Sequence, residues 1–479
     1  MQYKMSARKS LVQSTYQPTG PVLSKCGYCK SENTFMVESM WALRLTCQDY
    51  QDLVDRGFQR SGKFVYRPVM KETCCPQYVF RTDVTNFKPN KSQRYALRKF
   101  KRFLVEGRPD IVVEPTDRDA CNRVDLTPPD VATTQAVRPG TPTRKNKEVK
   151  PGLGPDPNKP LAQKAKDIRK QKRRQKALSK CTTPVSMASS RSSPVPQLVD
   201  YPLDDLISVS LPNSDECKHK FECRLVQVSP PSQMYTDSAE ESFQVFVKFQ
   251  MTIHKEKEED CTIRIYRDFI EQSPLLPMEG SPGMPCGYGT FHQQYLIDGK
   301  LFAVGVLDIL PRGVLCEYFY YDPAYRFLAP GVCGAMNEIA LTQQMYKVTP
   351  SIQYYYMGYY VQSCPKMNYK SQYSASSLLC PETYTYVPLQ LCVPKLISSG
   401  YSRLAEDSVS TVVENVTQEE LDLLPVFSLM HASEQPEYQD MTYREFKALY
   451  GDIRKRMIED YARIAGLEVA MRMTIYLSC

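Results

Sequence analysis

Apolar and polar positions change period several times along the chain, and each change marks an expected element. Thr46-Cys47-Gln48-Asp49 is a Thr-x-x-acid cap that opens a short helix, with Gly57 as a stop after Arg56. Gly62 to Met70 reads as a strand, with Phe64 and Tyr66 on one side. After Lys91 the spacing turns helical, placing Leu97, Phe100 and Leu104 on one face and Lys91, Arg94, Arg98 and Arg102 on another. Phe243 to Ile253 alternates and predicts a strand, and Thr262 to Ile270 a weaker one. Strands are also expected before the Asp298-Gly299 turn, over Leu301 to Leu310, over Val314 to Tyr321 and over Tyr354 to Val361, with a helix over Gly331 to Tyr346. Capping boxes at Thr417 and Thr442 open the tail. There Phe446, Leu449, Tyr450, Ile453, Met457, Tyr461 and Ile464 predict one amphipathic helix running through Gly451 and packing on the second folded unit. Successive strands followed by a helix and another strand give a mixed α/β (α+β) class.

Composition divides this pattern into domains. Between Arg144 and Lys180 stand fourteen Lys/Arg against three acids, so the net charge of +8 belongs to one segment and the rest of the chain is slightly acidic. The expected division is a flexible terminus (1–19), a Cys-rich domain (20–106), a disordered basic linker (107–200), a catalytic or binding domain (201–403) and a helical extension (404–479). Lys164 to Lys180 is suited to nonspecific nucleic-acid contact or nuclear import, or is simply a solvated linker. Met1 to Ser10 has no apolar signal core and no run is long enough to span a membrane. A soluble intracellular protein is expected, in the cytoplasm with the nucleus as a second compartment.

In a reducing compartment the 17 cysteines read as thiols or metal ligands. Cys26 and Cys29 form a CxxC turn, and Cys74-Cys75 supplies a second pair, so four thiolates are available for zinc or an iron–sulfur cluster. The bland alternative is two buried cysteine pairs without metal. The aligned cations Lys91, Arg94, Arg98 and Arg102 make a phosphate-contacting ridge or an ordinary solvated face. Tyrosine is densest from Tyr354 to Tyr360 and again at Tyr384 and Tyr386, which suits either a polar binding wall or a tyrosine-rich sheet face.

The order of motifs resembles the eukaryotic arginyl-tRNA–protein transferases. The resemblance is carried by Cys26-Gly27-Tyr28-Cys29, Arg60-Ser61-Gly62, Thr73-Cys74-Cys75-Pro76 and Lys91-Ser92-Gln93-Arg94. It continues with Phe291-His292-Gln293-Gln294-Tyr295, Asp308-Ile309-Leu310-Pro311, Tyr320-Tyr321-Asp322-Pro323, Tyr354 to Tyr360 and Cys380-Pro381-Glu382-Thr383-Tyr384. It implies a GNAT-like acyltransferase domain behind a metal-binding domain. The implied reaction moves arginine from arginyl-tRNA to the α-amino group of proteins beginning with Asp, Glu or oxidised Cys, creating an N-terminal degradation signal. No acetyl-CoA is expected, because a glycine-rich pyrophosphate loop is missing between Tyr321 and Ile339.

Aminolysis of an activated ester needs positioned groups more than a strong base, since an α-amine of pKa about 7.7–8.0 is already partly neutral. Asp308, Gln294 and His292 are the catalytic candidates, Asp308 as an orienter of proton transfer. Lys366 or Lys370 would read the acceptor's acidic side chain. Glu382, Glu338 and Asp308 compete for the arginyl guanidinium, with Tyr355 in the same wall. Lys91, Arg94, Arg98 and Arg102 would contact the tRNA. Asn337, Gln362 and Leu296 stand where the family carries Arg, His and Trp, which keeps open a metal-dependent RNA-binding or scaffold protein with a degenerate transferase domain.

Overall fold

The computed structural model describes residues 13–107, 217–430, 437–452 and 454–477. The expected linker, its basic run and Ile453 lie outside the described residues.

Two mixed sheets organise these residues. The smaller runs in the order β14 (Glu437–Thr442), β13 (Pro425–Met430), β15 (Thr474–Leu477), β1 (Thr15–Ser24), β2 (Phe35–Arg44), β4 (Phe64–Pro68) and β3 (Gln59–Ser61). The larger runs β12 (Tyr386–Pro388), β11 (Ser376–Leu379), β5 (Tyr78–Asp83), β10 (Tyr354–Tyr360), β9 (Gly313–Tyr321), β8 (Lys300–Leu310), β7 (Gly289–Ile297) and β6 (Phe221–Gln227). Strand β5 comes from the Cys-rich stretch yet sits between β10 and β11, so the two stretches read as separate domains share one sheet.

Helices cover both faces of the larger sheet. Helix α1 (Cys47–Val54) is capped by Thr46 Oγ1, which accepts from the Asp49 N–H, as the motif requires. Helix α2 (Lys91–Glu106) is closed by an Asn90–Gln93 capping box and buries Leu97, Phe100 and Leu104. Phe243 to Ile253 is not a strand: it belongs to α3 (Gln233–Phe249) and the π-helical turn Gln250–His254. Every second residue there is apolar, but Ser242, Val245, Phe246 and Phe249 also fall on one helical face, and that face is the one buried. Ser232 caps this helix by accepting from the Tyr235 N–H, a start signal lying outside the alternating run. Thr262 to Ile270 is likewise helical, with Thr262 as N-cap. Helix α4 (Pro330–Val348) buries Met336, Glu338, Ile339 and Met345.

The tail departs from expectation. Gly451, with φ of 78°, divides the expected helix into α5 (Tyr443–Tyr450) and α6 (Lys455–Ala465), because that backbone conformation ends a right-handed helix. The segment also returns to the smaller sheet rather than to the second unit. Strand β15 pairs parallel with β1, Tyr16 and Tyr461 rings meet at 4.1 Å, and Arg472 bonds Asp49 at 3.0 Å and Asp52 at 2.5 Å. No helix among the described residues is long and apolar enough to cross a membrane.

Candidate active site and metal centre

The feature that positions the site is a split between two parallel strands. β10 pairs with β9 only over Tyr354↔Gly313, Tyr355↔Val314 and Tyr356↔Leu315. Beyond Tyr356 a register shift, with Gly358 at φ of 64°, keeps β10 on β5, while β9 follows β8 to Tyr321. Cys316, Glu317, Tyr318 and Phe319 therefore lose a strand neighbour and are only partly buried, whereas Val314, Leu315 and Tyr320 are buried.

On the α4 side of the split, Glu338 is 1% exposed. Its Oε2 accepts a hydrogen bond from the Tyr355 hydroxyl, its Oε1 has no N–H or O–H donor, and the Cys316 thiol is the other polar group against the carboxyl. Burial raises its pKa to about 7. Gly305 makes room for it, since a Cβ there would lie 2.4 Å from Oε1. Gly334, one helical turn earlier, leaves space for the Phe319 ring in the same way. Lys370 is also buried and brought down to about 7 by burial, and it donates to the carbonyls of Met357 at 2.6 Å and Tyr359 at 2.5 Å. These carbonyls flank Gly358, where β10 leaves β9, so Lys370 satisfies backbone acceptors at the split.

On the opposite face, Asp308 is fully buried and engaged. Arg60 donates from Nε at 2.6 Å and from a terminal nitrogen at 2.7 Å, and Thr290 Oγ1 donates at 2.6 Å. Glu317 lies 3.5 Å from Arg60 Nε and accepts from the Tyr50 hydroxyl at 2.7 Å. Burial, with Asp308 adding to it against the pull of Arg60, raises the Glu317 pKa. Two carboxylates thus share one guanidinium. Arg60 and Glu317 were assigned no role from sequence, although Arg60-Ser61-Gly62 is one of the motifs carrying the resemblance.

The other expected residues are dispersed. His292 is fully buried; its Nε2 lies 3.3 Å from the Ile270 carbonyl and burial lowers its pKa to about 4. Gln294 accepts from Arg224 at 2.9 Å and donates to Ser238 at 2.7 Å. Both point from β7 to the α3 side, away from Glu338. Glu382 accepts from the Tyr401 hydroxyl at 2.6 Å and from Arg403 at 3.3 Å. Lys366 is exposed. On α2, Lys91, Arg98 and Arg102 are exposed and Arg94 is half-buried. Asn337 Nδ2 bonds the Cys333 carbonyl at 2.8 Å, Gln362 accepts from the Tyr360 hydroxyl, and Leu296 is core.

The four N-terminal cysteines converge, their sulfurs all within 4.8 Å of one another. Four thiolates about 2.3 Å from a tetrahedral ion stand about 3.8 Å apart, so the set fits a metal. Hydrogen bonds with Ser31 lower the Cys29 thiol to about 6, while burial raises Cys75. Cys26 and Cys75 pack with Tyr28, Val361, Cys364 and Met367, which sets the centre against the segment that follows β10. Replacing Cys26 and Cys75 together by Ser is expected to abolish stoichiometric metal and lower the melting temperature, as read by elemental analysis and thermal unfolding; full metal content in this variant would exclude the tetrathiolate site.

The descriptions "Arginine-tRNA-protein transferase, N terminus" and "Arginine-tRNA-protein transferase, C terminus" match residues 24–95 and 241–380. The chain is 34% identical to arginyl-tRNA–protein transferase 1 of Drosophila melanogaster, covering 95% of this chain and 97% of that one. It is 27% identical to arginyl-tRNA–protein transferase 2 of Arabidopsis thaliana, covering 80% and 76% respectively. An aspartate/glutamate leucyltransferase of Campylobacter jejuni is 32% identical over 85 residues, or 18% of this chain. The chain therefore belongs to the arginine-tRNA-protein transferase family, a family of aminoacyltransferases.

Proposed function

We propose that this protein transfers arginine from arginyl-tRNA to the α-amino group of proteins beginning with Asp, Glu or oxidised Cys, and that the transfer takes place where β9 and β10 separate. The product would carry an N-terminal degradation signal in the cytoplasm or nucleus. Parallel strands that diverge over a helix support a GNAT-like reading of the larger sheet. The observation that carries the site is Glu338, a buried carboxylate with one unpartnered oxygen and no cation bonded to it. Such a group is costly until a positive charge arrives. Of the three carboxylates considered for the arginyl guanidinium, Asp308 is held by Arg60 and Glu382 by Tyr401 and Arg403, which favours Glu338. Tyr355 fixes its orientation.

In the reaction, the neutral acceptor nitrogen attacks the ester carbonyl carbon and the bond to the tRNA ribose oxygen breaks. The proton lost from nitrogen ends on that oxygen. Because the ester is already activated, alignment supplies most of the acceleration. Asp308 acts through Arg60 to hold β8 and β3 together, while Lys370 holds the β10 bend. The exposed cations of α2 would take the tRNA backbone. The four cysteines would hold zinc or an iron–sulfur cluster, which supplies a rigid cross-link to the segment beside Lys366. Metal content is read by iron, sulfide and zinc analysis after anaerobic purification.

Labelled arginine from charged tRNA should appear on a peptide beginning with Asp and not on its N-acetylated form. A preparation that binds charged tRNA but never transfers would replace this reading with the scaffold alternative, which Asn337 and Gln362 motivate.

A further inference from the structure

We infer that Gln59 is a catalytic residue of the transfer, its side-chain amide donating a hydrogen bond to the ester carbonyl oxygen as negative charge develops there. This rests on the transfer reading above and extends it, because that reading supplies a pocket for the guanidinium but no donor for the reacting oxygen.

Strand β3 bridges the mouth of the split. Its residues Gln59 and Arg60 point opposite ways, as successive residues of a strand do. Arg60 reaches Glu317 on the unpaired part of β9 at 3.5 Å and Asp308 on β8 at 2.6 Å. Gln59 reaches the other separated strand. Its Oε1 stands 3.9 Å from where a Cβ of Gly358 would lie, at the point where β10 leaves β9. No other described heavy atom outside the residues adjoining Gly358 comes within 4 Å of that position, so the bend leaves room beside the amide.

The amide is also spare. Gln59 is 3% exposed, and its Nε2 is buried without a hydrogen-bond partner. The acceptors around it are taken. Lys370 bonds the carbonyls of Met357 and Tyr359, which flank Gly358. The Tyr359 hydroxyl donates to the carbonyls of Gly57 at 3.0 Å and of Tyr66, the residue directly opposite Gln59, at 3.4 Å. Two buried amide nitrogens among the described residues lack a partner, those of Gln59 and Gln77, and Gln59 is the one set against Gly358. A buried donor left unmade costs about 1–3 kcal/mol, which an arriving acceptor relieves.

The path of the substrate leads to the same point. Tyr355, which orients Glu338, stands three residues before Gly358, about 10 Å along an extended strand and comparable with the reach of an arginyl side chain. Tyr355 meets Glu338 on the α4 side, whereas Tyr359 meets Gly57 on the β3 side. An arginyl side chain passing between the strands to Glu338 therefore leaves its carbonyl facing β3. Attack by the acceptor nitrogen forms the C–N bond and moves the carbonyl π electrons onto oxygen. Collapse restores the carbonyl and breaks the bond to the ribose oxygen, which takes the proton lost from nitrogen. Gln59 Nε2 donates to the carbonyl oxygen while it bears the charge, from a place fixed before the reaction begins.

The test uses the full chain, arginyl-tRNA and a peptide beginning with Asp, under single-turnover conditions. Gln59→Met, unbranched and of similar size but without a donor, is expected to slow transfer by about 100-fold with little change in affinity for arginyl-tRNA. Its melting temperature should not fall, because an apolar group replaces an unpaired buried amide. Gln59→Asn, which withdraws the amide by one methylene, should also transfer slowly. A tRNA carrying citrulline separates this role from guanidinium binding: Gln59→Met should slow arginyl and citrullinyl transfer by the same factor, whereas Glu338→Gln removes the discrimination between them. Wild-type rates in both Gln59 variants, a loss confined to tRNA affinity, or a lowered melting temperature with an unchanged rate would overturn the role and leave the Glu338 reading intact. Undiminished discrimination in Glu338→Gln beside slow transfer in Gln59→Met would remove the Glu338 reading alone. A wild-type protein that binds charged tRNA but never transfers would remove both.

Discussion

Replacing Glu338 by Gln is expected to lower kcat/KM for transfer from arginyl-tRNA by about 150- to 5000-fold while the protein stays folded. The size follows from removing one partner of a buried charge pair, about 3–5 kcal/mol where both partners are desolvated. A tRNA carrying citrulline, isosteric with arginine but uncharged, separates charge from shape: wild type should reject it strongly, and the Glu338→Gln enzyme should barely distinguish it from arginine. Equal discrimination in both proteins would assign the guanidinium elsewhere. The pH dependence has a defined sign. Burial raises this carboxyl from 4.5 to about 7, so the anion that binds guanidinium is lost, and transfer declines, as pH falls through 7. The variant should lack that limb. Stability runs the other way. Between about 4.5 and 7 the folded state binds a proton that the unfolded chain has released, so this group's contribution to stability falls as pH rises through that window. At pH 8 the Gln variant should melt no lower than wild type. Gly305→Ala tests the same space from β8, because its methyl would lie 2.4 Å from Oε1, push the carboxylate aside and so reduce transfer without changing Glu338 chemically.

The second large effect is structural. Arg60→Met leaves Asp308 and Glu317 buried without their shared cation and is expected to destabilise the fold by about 3–5 kcal/mol, a shift of several degrees in melting temperature. Asp308→Asn should cost less, because Glu317 is close enough to take over Arg60. The double variant Arg60→Met, Asp308→Leu should recover part of the single Arg60 loss, since an apolar pair of similar volume replaces one orphaned charge while Glu317 stays buried without its cation. Additive losses in the cycle would show that the pair is not coupled. A normal melting temperature with lost transfer in Asp308→Asn would restore Asp308 to the chemistry.

These two expectations divide the carboxylates differently from a reading by motif. Asp308 lies in one of the motifs that carry the resemblance and is a catalytic candidate on that ground, yet its oxygens are occupied by Arg60 and Thr290. Glu338 was one of three alternatives for the guanidinium and stands out only through an oxygen left without a donor. The tyrosines follow the same logic. Tyr355 reaches Glu338, whereas its neighbour Tyr356 faces the other side, 3.3 Å from Gln51. Composition could not separate these roles because successive residues of a strand face opposite ways.

What the sequence determined by itself is local or motif-borne: the Thr46 cap, the two faces of α2, the β7–β9 meander, the CxxC and Cys-Cys pairs, and the family. Each rests on groups within a few residues of one another or on a whole ordered set of motifs. Local pattern failed at Phe243 to Ile253, where apolar residues satisfied both periods, and at Gly451, where one backbone angle outweighed an amphipathic face. Only the tertiary structure decided the rest. Arg60 and Asp308 are 248 positions apart, β5 is inserted between strands from the other end of the chain, and the turn at Cys26 packs on Val361, Cys364 and Met367. The order of strands in a sheet and the partner of a buried charge depend on which surfaces pack, and no periodicity along the chain encodes that choice.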